Sequence, residues 1–184
     1  YEYLKFLNEN KKEYGFKLFA FALLPKRLHL LIELKNDVTI STIMHNLNSR
    51  YTKTYNSRYG KKGHLFQARF KSVLIEKDDY LLRISRYIHL LPKDSQIVND
   101  PAEYRYSSYS SFIPNEGGYY AGSVLPEMED EIKEILGCFE KMDTEENKRK
   151  AYDGFTISSA IDEPVCCLRN NSKAPYNKPA SVLA

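Results

Sequence analysis

The sequence predicts an α+β domain, and three observations support that class. Apolar runs of strand length alternate with amphipathic segments of helical period. The 184 residues are 42% apolar and 28% charged, which is typical of a globular chain and excludes a collagen-like or disordered one. The length allows one domain of about 150 residues with an appendage. No apolar run approaches the roughly 18 residues of a membrane span.

The first elements are a helix and a hairpin. An amphipathic helix opens the chain, and a buried strand is predicted over Phe16–Leu24. Pro25 and Lys26 form a turn signal, and a second strand follows over Leu28–Leu34. Because only a short turn separates the two strands, they should pair antiparallel.

Two helices and a third strand follow. Apolar residues at helical spacing predict a helix from Thr39 to about Tyr59, which the glycines at 60 and 63 end. Strand character returns over Arg69–Ile75. Asp78 or Asp79 should then cap a helix over Tyr80–Leu91 that Pro92 stops.

The order helix, strand, strand, helix, strand, helix becomes that of the ferredoxin-like split β-α-β fold if one strand precedes Tyr1. Such a fold is an antiparallel sheet backed by helices. We therefore predict this domain over residues 1–113, a small acidic helical extension over 114–153 and a disordered tail over 154–184.

Charge is unevenly distributed along the chain. Residues 41–90 contain ten Lys and Arg against three Asp and Glu, although the net charge is only +3. Eight of the fifteen tyrosines lie between Tyr51 and Tyr109, among these basic residues. Basic and aromatic side chains together suit phosphate contact and base stacking. The alternative is a solvated charged face beside core tyrosines. Three cysteines, two of them adjacent, favour a reducing cytoplasm.

Two residues are candidates for chemistry. Strand alternation places His29 on one face with Arg27 and Glu33, although a lone strand histidine is more often structural. Tyr87 lies in mid-helix with Arg83 one turn before it, although such a tyrosine is usually part of a core. No Walker A loop, Gly-x-Ser-x-Gly or His-Glu-x-x-His pattern occurs, so the commonest hydrolase signatures are missing.

Three blocks together carry a family resemblance. They are Leu24 to Ile32, Tyr59 to Ser72 and Asp79 to Pro92. In order and spacing these blocks resemble the HUH-type single-tyrosine transposases, also called insertion-sequence-200-like transposases. Within that family they resemble the REP-associated branch most. The resemblance covers residues 1 to about 113. It implies a transposase that cleaves and rejoins single-stranded hairpin DNA through a 5′-phosphotyrosine intermediate.

The resemblance also implies roles for single residues. Tyr87 falls on the nucleophile, and His29 falls on the second histidine of a pair that, with a third ligand, holds Mg²⁺ or Mn²⁺. Arg27 replaces the first histidine and Leu91 replaces the third ligand. Arginine and leucine offer no lone pair to a metal ion, so two of three ligands are lost and metal binding is in doubt.

Three functions remain open from the sequence. In the first, Arg27 takes the place of the metal in an active transposase. In the second, the chain is an inactive, transposase-derived DNA-binding protein. In the third, it is a ferredoxin-like module that binds RNA or protein. DNA contacts are predicted from Arg50, Lys53, Arg58, Lys61, Lys62, Arg69 and Lys71. The protein is expected in a bacterial-type cytoplasm, associated with the nucleoid. The sequence leaves open whether it forms a homodimer.

Overall fold

The structure is a computed structural model that describes residues 2–35, 38–75 and 78–112, five positions between 128 and 134, and the strand at 165–169. Its elements are α1 (Glu2–Tyr14), β1 (Lys17–Leu23), β2 (Leu28–Glu33), α2 (Ile40–Tyr59), β3 (Lys71–Ile75), α3 (Asp78–Asp94) and β4 (Val165–Arg169). Short 3₁₀ turns lie at Pro101–Glu103 and Tyr109–Ser111. The predicted α+β class is confirmed.

The sheet has the strand order β1, β2, β4, β3. β1 and β2 form the predicted antiparallel hairpin, because the four residues between them permit only a tight reversal. β4 lies parallel to both β2 and β3, so the sheet is mixed rather than wholly antiparallel. The antiparallel expectation is corrected for β4, since no local turn sets the direction of a strand that comes from so far along the chain.

α1 and α2 cover one face of this sheet. Leu7 from α1 and Leu47 from α2 are fully buried against Leu18, Phe21 and Leu30 of the hairpin. Burying each of these side chains stabilises the fold by roughly 1.5–3 kcal/mol. The Thr39 hydroxyl accepts a hydrogen bond from the Thr42 amide at 3.2 Å and so begins α2 where the sequence predicts. This apolar layer stabilises the hairpin strands on the face toward α1 and α2.

α3 covers the opposite face. Leu81, Ile84 and Ile88 pack against Ala20 and Ala22 of β1, whose small side chains let the helix approach closely. The outer edge of β1 is protected as well, since residues 106–108 hydrogen-bond to it. α3 therefore packs mainly against β1 and, through Leu31, also against β2, the strand that carries His29.

The predicted end of α3 is wrong. Pro92 lies inside the helix, which continues to Asp94. Proline removes its own N–H, but it sits in the last turn, where Ser95 N–H still donates to Leu91 O at 2.8 Å. Gln96 then adopts a φ of 56° and ends the helix.

The two C-terminal segments are described only in small part. Met128 is buried in the core beside α1, and Glu131 pairs with Lys11 at 2.9 Å while Glu134 pairs with Lys17 at 2.7 Å. Residues 130, 131, 133 and 134 are helical. Most of residues 114–153 and 154–184 lie outside the described residues, so the division into segments stays a prediction. β4 is a strand within the predicted tail.

Candidate functional site

His29 is the second residue of β2 and lies on the face that α3 covers. Its side chain is buried, and its Nε2 has no hydrogen-bond partner among the residues that the structure describes. Burial, and then the charge of Arg27, lower the pKa of His29 to about 4. The imidazole is therefore neutral at pH 7 and presents an unused buried nitrogen.

Tyr87 approaches this histidine from α3. The two ring centroids are 6.5 Å apart, and the rings meet edge to face at 81°. Ile84 and Ile88 on the same helix are buried in the core and so set the direction in which Tyr87 projects. The structure thus brings together the two residues that the sequence singles out.

Arg27 completes this group at the end of the hairpin turn. The Leu24 N–H donates to Arg27 O at 2.8 Å, and this bond closes the turn immediately before β2. Arg27 is half-buried, and its positive charge acts on His29 two positions later. A cation, a neutral imidazole and a phenol therefore lie at one end of the sheet face.

Of the three positions at which the resemblance predicts metal ligands, His29 alone carries a side chain with a lone pair for a metal ion. His29 contributes one nitrogen, Arg27 none, and Leu91 is buried in an apolar cluster with Leu24 and Tyr104. Glu33 shares the strand but lies four residues away, about 13 Å along it, and is within 4.0 Å of Lys17. Across the described part of the chain no three His, Cys, Asp or Glu side chains gather in a metal-binding group.

The predicted DNA contacts divide into three separate groups. Arg50 and Lys53 line an open depression of about 660 Å³ along α2, and Arg50 pairs with Glu9 of α1. Arg58 pairs with Glu2 at 2.9 Å, which offsets its charge. The remaining residues are exposed and lie in the loop after α2 and at the start of β3; they are Lys61, Lys62, Arg69 and Lys71.

Of these basic residues, Lys71 has the closest relation to His29. Both are in register with Val165 of β4, so His29 and Lys71 belong to one row across the sheet. Residues in one row have side chains on the same face, and two strand spacings separate their backbones by about 10 Å. Sequence reasoning did not predict this relation, because it depends on β4.

Arg83 is a further residue that the predicted site set does not include. It lies one turn before Tyr87 on α3, and its Nε is buried with no partner among the described residues. Its spacing of four residues from Tyr87 was the available signal. It adds a second guanidinium on the side of α3 that carries the tyrosine.

The other two histidines of the resembling blocks differ from His29. His89 is fully buried, shares a 2.7 Å hydrogen bond with the Ser108 hydroxyl and has a pKa lowered by burial to about 3. This hydrogen bond joins α3 to the segment beside β1. His64 is exposed in the loop before β3.

Fold and site together define a small α+β protein with a polar group on one face of its sheet. Residues 1–90 match the family model described as Transposase IS200 like, a range that includes Arg27, His29 and Tyr87. This match supports the IS200-like transposase family for that part of the chain. No curated protein and no solved structure gives a match. Among the described helices, none is long and apolar enough to cross a membrane.

Proposed function

We propose that this chain is a transposase-like protein that binds single-stranded, hairpin-forming DNA, as in the REP-associated branch, with Tyr87 as its nucleophile. The observation that supports this most directly is the contact of Tyr87 with the neutral His29 beside Arg27, where the His29 Nε2 has no hydrogen-bond partner among the described residues. A transposase family match over residues 1–90 points to the same substrate class.

In the proposed reaction, the Tyr87 oxygen attacks a backbone phosphorus and forms a new P–O bond. The bond from phosphorus to the 3′ oxygen breaks, which leaves a 5′-phosphotyrosine and a 3′-hydroxyl that has taken its proton from water. The phenolic proton is lost to water, and His29, whose pKa of about 4 keeps it neutral, positions the phenol by accepting a hydrogen bond at Nε2.

Arg27 has the electrostatic role in this proposal. Its guanidinium is always charged and can bind two phosphate oxygens at once, so it stabilises the negative charge that develops on the phosphate. Mg²⁺ or Mn²⁺ would supply the same stabilisation where a full ligand set exists. We propose that the guanidinium takes over this role, since His29 alone offers a lone pair in the predicted ligand set.

A second candidate is a DNA-binding protein that cannot cleave. The observation in its favour is Leu91, whose side chain is committed to an apolar cluster at the position of the third ligand. In both candidates the partner is DNA, which implies a nucleoid-associated location in a bacterial-type cytoplasm. Whether the DNA-bound form is a homodimer can be measured by light scattering.

The test is a covalent-adduct assay. Wild type, Tyr87→Phe and a control, Tyr109→Phe, are incubated with labelled hairpin DNA in Mg²⁺, Mn²⁺ or EDTA and separated on denaturing gels. The ring of Tyr109 meets that of His89 edge to face and does not contact His29. We expect an adduct in EDTA that requires Tyr87 and not Tyr109.

The other outcomes of the adduct assay distinguish the remaining candidates. An adduct that needs added metal would contradict the role of Arg27. Salt-sensitive DNA binding with no adduct, including on hairpins from the source genome, would support the second candidate. No binding to single-stranded DNA at any salt concentration would refute both and leave an RNA- or protein-binding module.

A further inference from the structure

The C-terminal half of α2 carries a row of tyrosines one turn apart. The ring centroids of Tyr51 and Tyr55 are 6.2 Å apart, and those of Tyr55 and Tyr59 are 4.6 Å apart. Tyr51 is anchored by Tyr3 at 5.0 Å, so the row begins at the core. It ends at Tyr59, which is 59% exposed and is the most exposed large apolar side chain that the structure describes.

The loop after α2 is held against this row. Gly60 caps the helix with a φ of 62°, and Lys61 N–H donates to Asn56 O at 3.0 Å. The Asn56 side-chain amide donates to Gly63 O at 2.9 Å and closes the loop. Lys61 and Lys62 therefore start from a fixed backbone beside the tyrosines, although both side chains are exposed.

Charge and rings meet directly at this end of α2. The Lys61 ammonium lies 5.5 Å from the centroid of the Tyr55 ring. Arg58 pairs with Glu2, so most of the available positive charge comes from the two loop lysines. Packing of the core accounts for Tyr51 but not for an aromatic ring as exposed as that of Tyr59.

We propose that Tyr55, Tyr59, Lys61 and Lys62 form a stacking platform for an unpaired nucleotide of the DNA. The ring of Tyr59 receives the face of the base, Tyr55 supports that ring from behind, and the lysines contact the flanking phosphates. This inference rests on the proposed function and deepens it, because it names the part of the DNA that is bound away from Tyr87.

The chemistry of the surface favours an unpaired base over other partners. A duplex covers the faces of its bases, whereas every unpaired base offers one to an exposed ring. An acidic peptide would use the lysines but gain little from two adjacent tyrosine rings. The platform needs both features at once, and single-stranded nucleic acid supplies both.

The test combines a variant with an altered ligand. Tyr59→Leu keeps an apolar side chain with good helix propensity but removes the aromatic face, while Tyr59→Phe keeps that face. Each protein is titrated with a hairpin that has a single-stranded flank, and with the same hairpin carrying one abasic nucleotide at successive flank positions. Ile97→Ala, which alters an exposed apolar residue elsewhere, is the control.

We expect Tyr59→Leu to weaken binding about 10-fold, in line with the loss of one stacked base. An abasic nucleotide at one flank position should weaken wild-type binding equally, and the two changes together should cost no more than either alone. Tyr59→Phe should keep most of the affinity. A 2-aminopurine base at that position should be quenched by wild type and not by Tyr59→Leu.

Other outcomes separate this proposal from the proposed function. If wild type binds the hairpin and Tyr59→Leu binds it equally well, the platform is wrong and the DNA-binding function stands. Additive losses from the variant and the abasic nucleotide would also overturn it, because they would show a role unrelated to the base. If wild type binds no single-stranded DNA, the proposed function itself fails.

Discussion

The two faces of the sheet differ in composition, although the same strand, β2, contributes to both. Toward α1 and α2 it presents Leu28, Leu30 and Ile32, which are buried in an apolar core. Toward α3 it presents His29, whose Nε2 lacks a partner among the described residues, and Leu31. Alternation along one strand thus gives one face only apolar side chains and gives the other a buried imidazole beside Leu31.

The two faces also differ in the changes that destabilise them. The apolar face loses stability whenever volume is removed, because its side chains are close-packed. The α3 face contains two buried histidines that stay neutral only while the pH is high enough. Four predictions test this contrast, beginning with the largest expected effect.

Leu30→Ala should be the most damaging of the four changes. Leu30 is 1% exposed in the apolar core, so truncation removes buried methyl groups and leaves a cavity. We expect the free energy of unfolding to fall by about 2–5 kcal/mol in urea titrations at pH 7. A loss smaller than about 1 kcal/mol would show that the core can collapse around the cavity, so that this face is not close-packed.

Acid should destabilise the protein through the α3 face. Burial lowers the pKa of His29 to about 4 and that of His89 to about 3, so between these values and about 6.5 the unfolded state binds more protons. Stability is therefore fully present above pH 6.5 and is lost as the pH falls. At pH 5 each histidine should account for about 2 kcal/mol.

The measurement is the difference in unfolding free energy between pH 7 and pH 5. His89→Gln should reduce that difference by about half, and so should His29→Gln. If neither variant changes the difference, the acid sensitivity comes from other groups and the histidines are not buried neutral in solution.

His29→Leu should stabilise the protein slightly. The change replaces a buried nitrogen that has no partner in the described structure with an apolar group of similar size. Removing such a desolvated group is neutral or favourable, so we expect a gain of about 1 kcal/mol at pH 7 together with loss of any Tyr87-dependent adduct. A clear loss of stability would indicate that His29 has a structural role in place of a chemical one.

Local patterns explain which parts were predictable from the sequence. β1, β2 and α2 begin and end within about two residues of their predicted bounds, because period and caps are encoded nearby. β4 was not predictable, since five residues have no clear period and its partner Lys71 lies 94 positions before Val165. Pro92 was overvalued as a stop signal, because a helix can contain proline near its end when the later bonds survive.

The candidate site shows the same division. His29 and Tyr87 were identifiable from their pattern and from the family resemblance, and their opposition follows from α3 packing on β2. The partners of the basic residues were not identifiable. Arg58 meets Glu2 across 56 positions, and Arg50 meets Glu9 across 41, so a count of positive charge overstates what these side chains offer to DNA.

The smallest expected effect on stability comes from the ion pair of Arg58 with Glu2. The Arg58 side chain is 55% exposed, so its ion pair with Glu2 should contribute at most about 0.5 kcal/mol to stability. Glu2→Gln should therefore leave the urea midpoint nearly unchanged. It should also release Arg58 for phosphate contact beside Lys61, which raises DNA affinity and steepens the log-log salt dependence by about 0.7.

The matched control is Glu9→Gln, which releases Arg50 beside the α2 depression at a distance from the tyrosine row. If only Glu2→Gln strengthens binding, the DNA runs past the end of α2. If only Glu9→Gln does so, it follows the depression along α2 instead. Equal gains would mean that net charge alone attracts the DNA, and the separation of the basic residues into distinct groups would then have no consequence for binding.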